Sequence, residues 1–154
     1  MSTEKLQVKF KKLSDQIGVT IPEPAYATSG SAGIDLAAAL EKSLFLAPGD
    51  RASIPTGLAI DMPAANIVGL VFPRSGLAGR QGISLANCVG VIDSDYKGEI
   101  ICILQNNSSV IYEIKPGDRV AQLVFVPCLQ ADIVFTQELS SSERNTGGFG
   151  STGR

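Results

Sequence analysis

Histidine is absent from the 154 residues, and so is tryptophan. The first absence excludes a serine–histidine hydrolase, a histidine-ligated zinc centre and an imidazole acid or base, so proton transfer must fall to a carboxylate, lysine, tyrosine or cysteine. The second belongs to a wider scarcity. Aromatic residues are 6% of the chain against 44% hydrophobic residues in all, so the core must pack on Val, Ile, Leu and Ala, a composition that leans toward strands. Positive charge is short too: 13 Lys+Arg against 15 Asp+Glu leave −2 and a pI near 5.1. That balance provides no broad basic surface for direct nucleic-acid binding, but it leaves room for a small phosphorylated ligand held by a few cations. Long apolar runs are missing as well. The opening MSTEKLQVKF has alternating polarity, so neither a signal peptide nor a membrane span is expected. Cys88, Cys102 and Cys128 are odd in number and lack C-x-x-C spacing, which suits reduced thiols in a cytoplasmic protein.

What the chain does have is punctuation. Its 16 Gly and 8 Pro are spread along the whole length, which implies many turns between short elements within one domain. Leu6, Val8 and Phe10 alternate with Gln7, Lys9 and Lys11, the period of a strand with one buried face. Further apolar runs at Ile34–Ala38, Leu44–Leu46, Arg51–Ile54, Gly57–Ile60, Ile67–Phe72, Ile83–Leu85, Cys88–Ile92, Ile100–Leu104, Val110–Ile114, Val120–Val126 and Ile133–Phe135 read as strands. Ala47-Pro48-Gly49-Asp50 and Lys115-Pro116-Gly117-Asp118 have the composition of tight turns, and each is expected to close a hairpin. The predicted fold is all-β, a sandwich or jelly roll of short strands, with one short helix at Ser75–Gln81. From Ser140 the composition turns to Ser and Gly, dividing the chain into a core, 1–139, and a flexible C-terminal arm, 140–154. The arm is either a disordered end or a segment that orders on a ligand or a neighbouring subunit. Asn106 and Asn107 each match a glycosylation sequon, a weak signal without a secretory leader.

Several segments carry chemistry, each with a plainer reading beside it. Gly148–Gly153 matches G-x-G-x-x-G, yet the chain ends one residue later, with no helix or acidic residue to complete a dinucleotide fingerprint. Its amides can still cradle phosphate, with Arg144 adding a cation and Phe149 a face on which a base can stack. Pro73-Arg74-Ser75-Gly76-Leu77-Ala78 is either an anion site at a helix start or an ordinary Ser N-cap beside a surface Arg. In Gly90–Glu99, Asp93 and Asp95 fall on one side if the segment is extended and can then orient and deprotonate a water. The same residues fit a polar turn equally well. Arg119 and Gln122 open an apolar strand, where pairing with Asp118 or a neighbouring acid is the default and anion binding the alternative.

In order, A-G-I-D-L-A, P-R-S-G-L-A, G-V-I-D-S-D-Y-K-G, G-D-R-V-A-Q-L and R-N-T-G-G-F-G-S-T-G resemble the five motifs of the trimeric dUTPase family. The resemblance runs from near Tyr26 to the C-terminus. It implies a jelly-roll-like, β-clip homotrimer with shared active sites that hydrolyses dUTP to dUMP and pyrophosphate, limiting uracil in DNA and supplying dUMP for dTMP synthesis. It implies Mg2+ carried by the triphosphate, with Asp35 holding waters around the metal. By the same resemblance Arg74, Ser75, Gly76 and Gln122 contact phosphate, and Asp93 positions the attacking water. Tyr96 packs on the deoxyribose, while Asn87 and the backbone at Val91, Ile92 and Ile101 form a hairpin that reads uracil. Arg119 and Asp95 support the site. Arg144 and Phe149, Gly150, Ser151 and Thr152 clamp the γ-phosphate and close over the base. Two competitors remain: a dCTP deaminase of the same architecture, which releases ammonia instead of pyrophosphate, and a nucleotide-sensing regulator, whose added segments this chain lacks.

Overall fold

A computed structural model describes residues 6–143 and 145–148. The fold is all-β with one short helix. Eleven strands follow in chain order: β1 Lys9–Lys12, β2 Ile34–Ala37, β3 Leu44–Leu46, β4 Arg51–Pro55, β5 Leu58–Asp61, β6 Ile67–Pro73, β7 Ile83–Leu85, β8 Gly90–Ile92, β9 Ile101–Asn106, β10 Tyr112–Ile114 and β11 Arg119–Pro127, with helix α1, Ser75–Gln81, between β6 and β7. They pair antiparallel into four small sheets, ordered β1-β5, β10-β3, β2-β11-β6-β8 and β4-β9-β7.

Aliphatic side chains pack between the sheets as the composition requires. Leu36, Ile54, Ile83, Ile100, Leu104, Ile114 and Leu123 are completely or almost completely buried. Asn106 is buried among them, so its sequon is sterically closed. Its amide nitrogen donates to the carbonyls of Leu46 and Val110, both at 2.8 Å, and its oxygen accepts from the amide and hydroxyl of Ser108 at 2.9 and 2.8 Å. Each of its polar atoms is thereby satisfied, which removes the cost of burying it. Burial pushes the Cys102 thiol up to about 12, as expected for a sulfur in the core.

The two Pro-Gly-Asp turns form as composition predicts, with Gly49 and Gly117 at φ 83° and 82°. Asp50 N donates to Ala47 O and Asp118 N to Lys115 O. Neither turn closes a hairpin, however: β3 pairs with β10 while β4 pairs with β9, and β10 leads into β11, which pairs with β2 and β6. They are corners at which the chain changes sheet, because each Gly amide donates outside its own turn, Gly49 to Asn106 O and Gly117 to Ala38 O. The run Ile133–Phe135 forms no strand, and its side chains are exposed. The long strand β11 has most to do with placing the functional residues, since β2 lies along one edge and β6 along the other.

Candidate active site

Register brings three of the sequence segments together. On β11, Gln122 lies opposite Asp35 of β2 on one side and Phe72 of β6 on the other, and Arg119 lies opposite Ala37. The ladder shifts between Arg119 and Ala121, and such a bulge re-aims the arginine at the strand's beginning. Asp35 is the hub. Its Oδ1 accepts from Arg74 Nε at 2.8 Å and its Oδ2 from Arg119 Nη1 at 3.0 Å, so one carboxylate orients two guanidinium groups. Gln122 Nε2 donates to Pro73 O at 3.1 Å and so holds the end of β6 from which Arg74 departs. The fit is tight at Gly33, where an added Cβ would lie 2.8 Å from Gln122 Oε1.

Helix α1 begins on the same spot. Its N-cap is Arg74, in extended conformation and with no side-chain cap, so Ser75 is the first helical residue and the Ser N-cap reading is wrong. Amides in the first turn have no partner within a helix. Here those of Ser75, Gly76 and Leu77 border an open cleft of about 830 Å³, lined also by Asp35, Arg74, Arg119 and Gln122. Sequence reasoning missed Arg80, on the same short helix, and the Ala27 and Ser31–Gly33 stretch; both line this cleft. With Arg74, Arg80 and Arg119 set against Asp35 and Asp118, the cleft has a cationic excess that suits an oligophosphate.

Asp93 lies elsewhere. The segment after β8 is not extended: Tyr96 N donates to Asp93 O at 3.1 Å, closing a turn. The premise that put Asp93 and Asp95 on one face of a strand therefore fails. Both carboxylates, with Val91 and Cys128, line a second cleft of about 660 Å³. β8 pairs with β6 so that Ile92 lies opposite Gly69, at the far end of β6 from Arg74. At roughly 3.3 Å per residue, the five residues from Gly69 to Arg74 put the two groups on the order of 15–20 Å apart. The turn is tied down by Lys97, whose Nζ donates to Ser94 O and pairs with Asp61 Oδ1, both at 2.8 Å. Lys97, with a further contribution from Lys9, holds the Asp61 carboxyl below its ordinary value.

Asn87, Ile92, Tyr96 and Ile101 line neither cleft. Asn87 belongs to the connection between β7 and β8, where Cys88 takes φ 63°. These strands lie in different sheets, and the turn between them is closed by Cys88 N donating to Leu85 O at 3.1 Å, with Ala86 N bonded to Ile103 O of β9. Tyr96 is half-exposed, and its hydroxyl donates to Glu99 O at 3.0 Å. The arm calls, Arg144, Phe149, Gly150, Ser151 and Thr152, fall outside the described residues.

Comparison with known proteins identifies the family. The dUTPase family model matches residues 19–153. A deoxyuridine 5'-triphosphate nucleotidohydrolase from Tolumonas auensis is 47% identical over 96% of this chain and 98% of its own length. Its counterpart from Escherichia coli O9:H4 is 44% identical, covering 96% and 98%. Among solved structures, the Staphylococcus bacteriophage 80alpha dUTPase with dUPNHPP superposes with a TM-score of 0.84 at 27% identity, covering 96% of this chain and 99% of that one.

Proposed function

The chain belongs to the dUTPase family and is a dUTP nucleotidohydrolase, and from that premise we propose how its residues divide the reaction. The observation that carries the proposal is the Asp35 hub, which turns Arg74 and Arg119 into a fixed pair beside the uncapped start of α1. Arg74 and the amides of Ser75 and Gly76 hold phosphate oxygens, Gln122 adds a contact, and Arg119 keeps the hub in place. Asp93 accepts a proton from water as its oxygen attacks the α-phosphorus. The bond to the bridging oxygen breaks, and pyrophosphate leaves with the electron pair. Asp95 supports that turn, Tyr96 packs on deoxyribose, and Asn87 with the backbone at Val91, Ile92 and Ile101 reads uracil. Arg144 and Phe149–Thr152, in an arm spanning 140–154 attached to the 1–139 core, close over the nucleotide and exclude water. The products serve to limit uracil in DNA and to supply dUMP for dTMP synthesis.

Magnesium fits this donor set in one way. Among the described residues no group of three or more metal-ligating side chains converges, so a protein cage is unsupported. Each Asp35 oxygen accepts one guanidinium N–H and keeps a lone pair for a metal-bound water, which suits an ion that arrives on the triphosphate with most of its hydration. When bound, Mg2+ would neutralise developing charge on the phosphates.

Asp93 and Arg74 at opposite ends of β6 support a site shared between chains. So do the outward apolar side chains Ile101, Ile103, Val91, Leu129, Ile133, Val134 and Phe135, which a second copy would cover. We therefore read the active unit as a homotrimer of jelly-roll-like subunits. The three free cysteines agree with a cytoplasmic setting, and no helix among the described residues is long and apolar enough to cross a membrane. The test is pyrophosphate release from each deoxynucleoside triphosphate with and without magnesium. We expect rapid, magnesium-dependent release from dUTP alone. Ammonia from dCTP with its triphosphate intact would instead establish the deaminase.

A further inference from the structure

The turn that carries Asp93 continues into an arrangement that the reaction scheme leaves unused. Tyr96 folds back over its own backbone, and its ring covers the open face of Gly98. A Cβ built at Gly98 would lie 2.5 Å from Tyr96 Oη, 2.6 Å from Cζ and 3.0 Å from Cε2, and these three atoms of one ring are its nearest neighbours. Real side chains do not approach so closely, so the ring can occupy this position only above a residue with no side chain. Gly98 is not among the glycines with positive φ, and the nearest obstacle to an alanine there is the Tyr96 side chain.

The same end of the ring is tethered as well. Its hydroxyl donates to Glu99 O at 3.0 Å. The Glu99 carboxylate in turn accepts from Gly57 N at 2.7 Å, and the next residue, Ile100, accepts at its carbonyl from Thr56 Oγ1 at 2.6 Å. The anchor is therefore tied to the junction between β4 and β5. The hydroxyl end of the side chain thus lies over Gly98 and is bonded to the Glu99 carbonyl, while the residue as a whole is 43% exposed.

We propose that Gly98 is a specificity-determining residue: the missing side chain sets the height of the Tyr96 ring, and that height decides whether a 2′-hydroxyl fits. This rests on the reading that Tyr96 meets the sugar. Gly98 touches no reacting atom and does not act in catalysis. A side chain there displaces the hydroxyl end of the ring, breaks the bond to Glu99 O and removes the wall against ribose. Sterically built walls of this kind discriminate by about 10–200-fold, so the loss should be large enough to measure.

The experiment compares kcat/KM for dUTP and UTP in the full-length wild type, Gly98→Ala, Tyr96→Phe and Tyr96→Ala, with melting temperature and gel filtration recorded for each. Gly98→Ala is expected to lower the dUTP:UTP ratio at least about 10-fold, at unchanged assembly. Tyr96→Phe, which keeps the ring and loses only its tether, is expected to lower it by a smaller factor, and this variant decides the matter if the alanine variant does not fold. An unchanged ratio in Gly98→Ala, with a reduced ratio in Tyr96→Ala, overturns the role of Gly98 and leaves the sugar contact standing. An unchanged ratio in Tyr96→Ala overturns both.

Discussion

The two clefts use carboxylates in opposite ways. In the first, Asp35 is three-quarters buried, with both oxygens bonded to arginines, so its charge is spent on orienting Arg74 and Arg119 before any ligand arrives. In the second, Asp93 sits exposed on a turn and makes no salt bridge among the described residues. Both oxygens of the first carboxylate are already engaged by guanidinium N–H groups, whereas the second has no cation bonded to it among the described residues. One chain thus offers an arginine-lined face, the proposed phosphate site, and an exposed carboxylate, the proposed base, toward opposite ends of β6.

That contrast can be broken at either end. Asp93→Asn removes the base and leaves the phosphate face intact. We expect kcat to fall by about 10²–10⁴-fold, with dUTP binding by calorimetry largely retained. Asp35→Asn has the converse signature: two arginines lose their counter-charge, so KM rises and stability falls by about 1–3 kcal/mol in denaturant titrations. Equal effects of both variants on binding and turnover would erase the division of labour. The smallest effect belongs to Asp61, which steadies the Asp93 turn through Lys97. Because its folded value lies below 3.8, its stabilising contribution is complete above that pH and is lost as pH falls through the lower folded value. The gap in melting temperature between wild type and Asp61→Asn should therefore be steady at neutral pH and shrink below 3.8.

Local chemistry was easy to read in the sequence and partnership was not. The helix at Ser75–Gln81 and most strands lie where alternation and turn residues put them, because both signals act over a few neighbours. The Pro-Gly-Asp segments announced a reversal but not a destination, since the strand that receives the chain is chosen by distant edges such as Asn106 O and Ala38 O. Ile133–Phe135 has strand composition yet no partner edge among the described residues. The same limit applies to the site. Asp35 lies 39 residues from Arg74 and 84 from Arg119, so no window of sequence displays their pairing, and the ordered motifs of the family put the three in one site without indicating it. Arg80 was missed because nothing in its neighbourhood distinguishes it from a surface arginine. The Asp93–Tyr96 turn was misjudged in one of its two readings because an extended chain and a turn share that composition.

Subunit complementation tests the central claim, that Asp93 of one chain serves the Asp35–Arg74–Arg119 face of another, most directly. Asp93→Asn and Arg74→Ala chains, each expected to be nearly inactive alone, are unfolded together in equal amounts and refolded as mixed assemblies. If every site draws its base and its phosphate face from different chains, both are wild type in about one quarter of sites, and pyrophosphate release from dUTP should return to about that fraction of the wild-type rate. Activity no higher than the sum of the two variants refolded separately would mean that each chain builds its own site, and the account would be wrong.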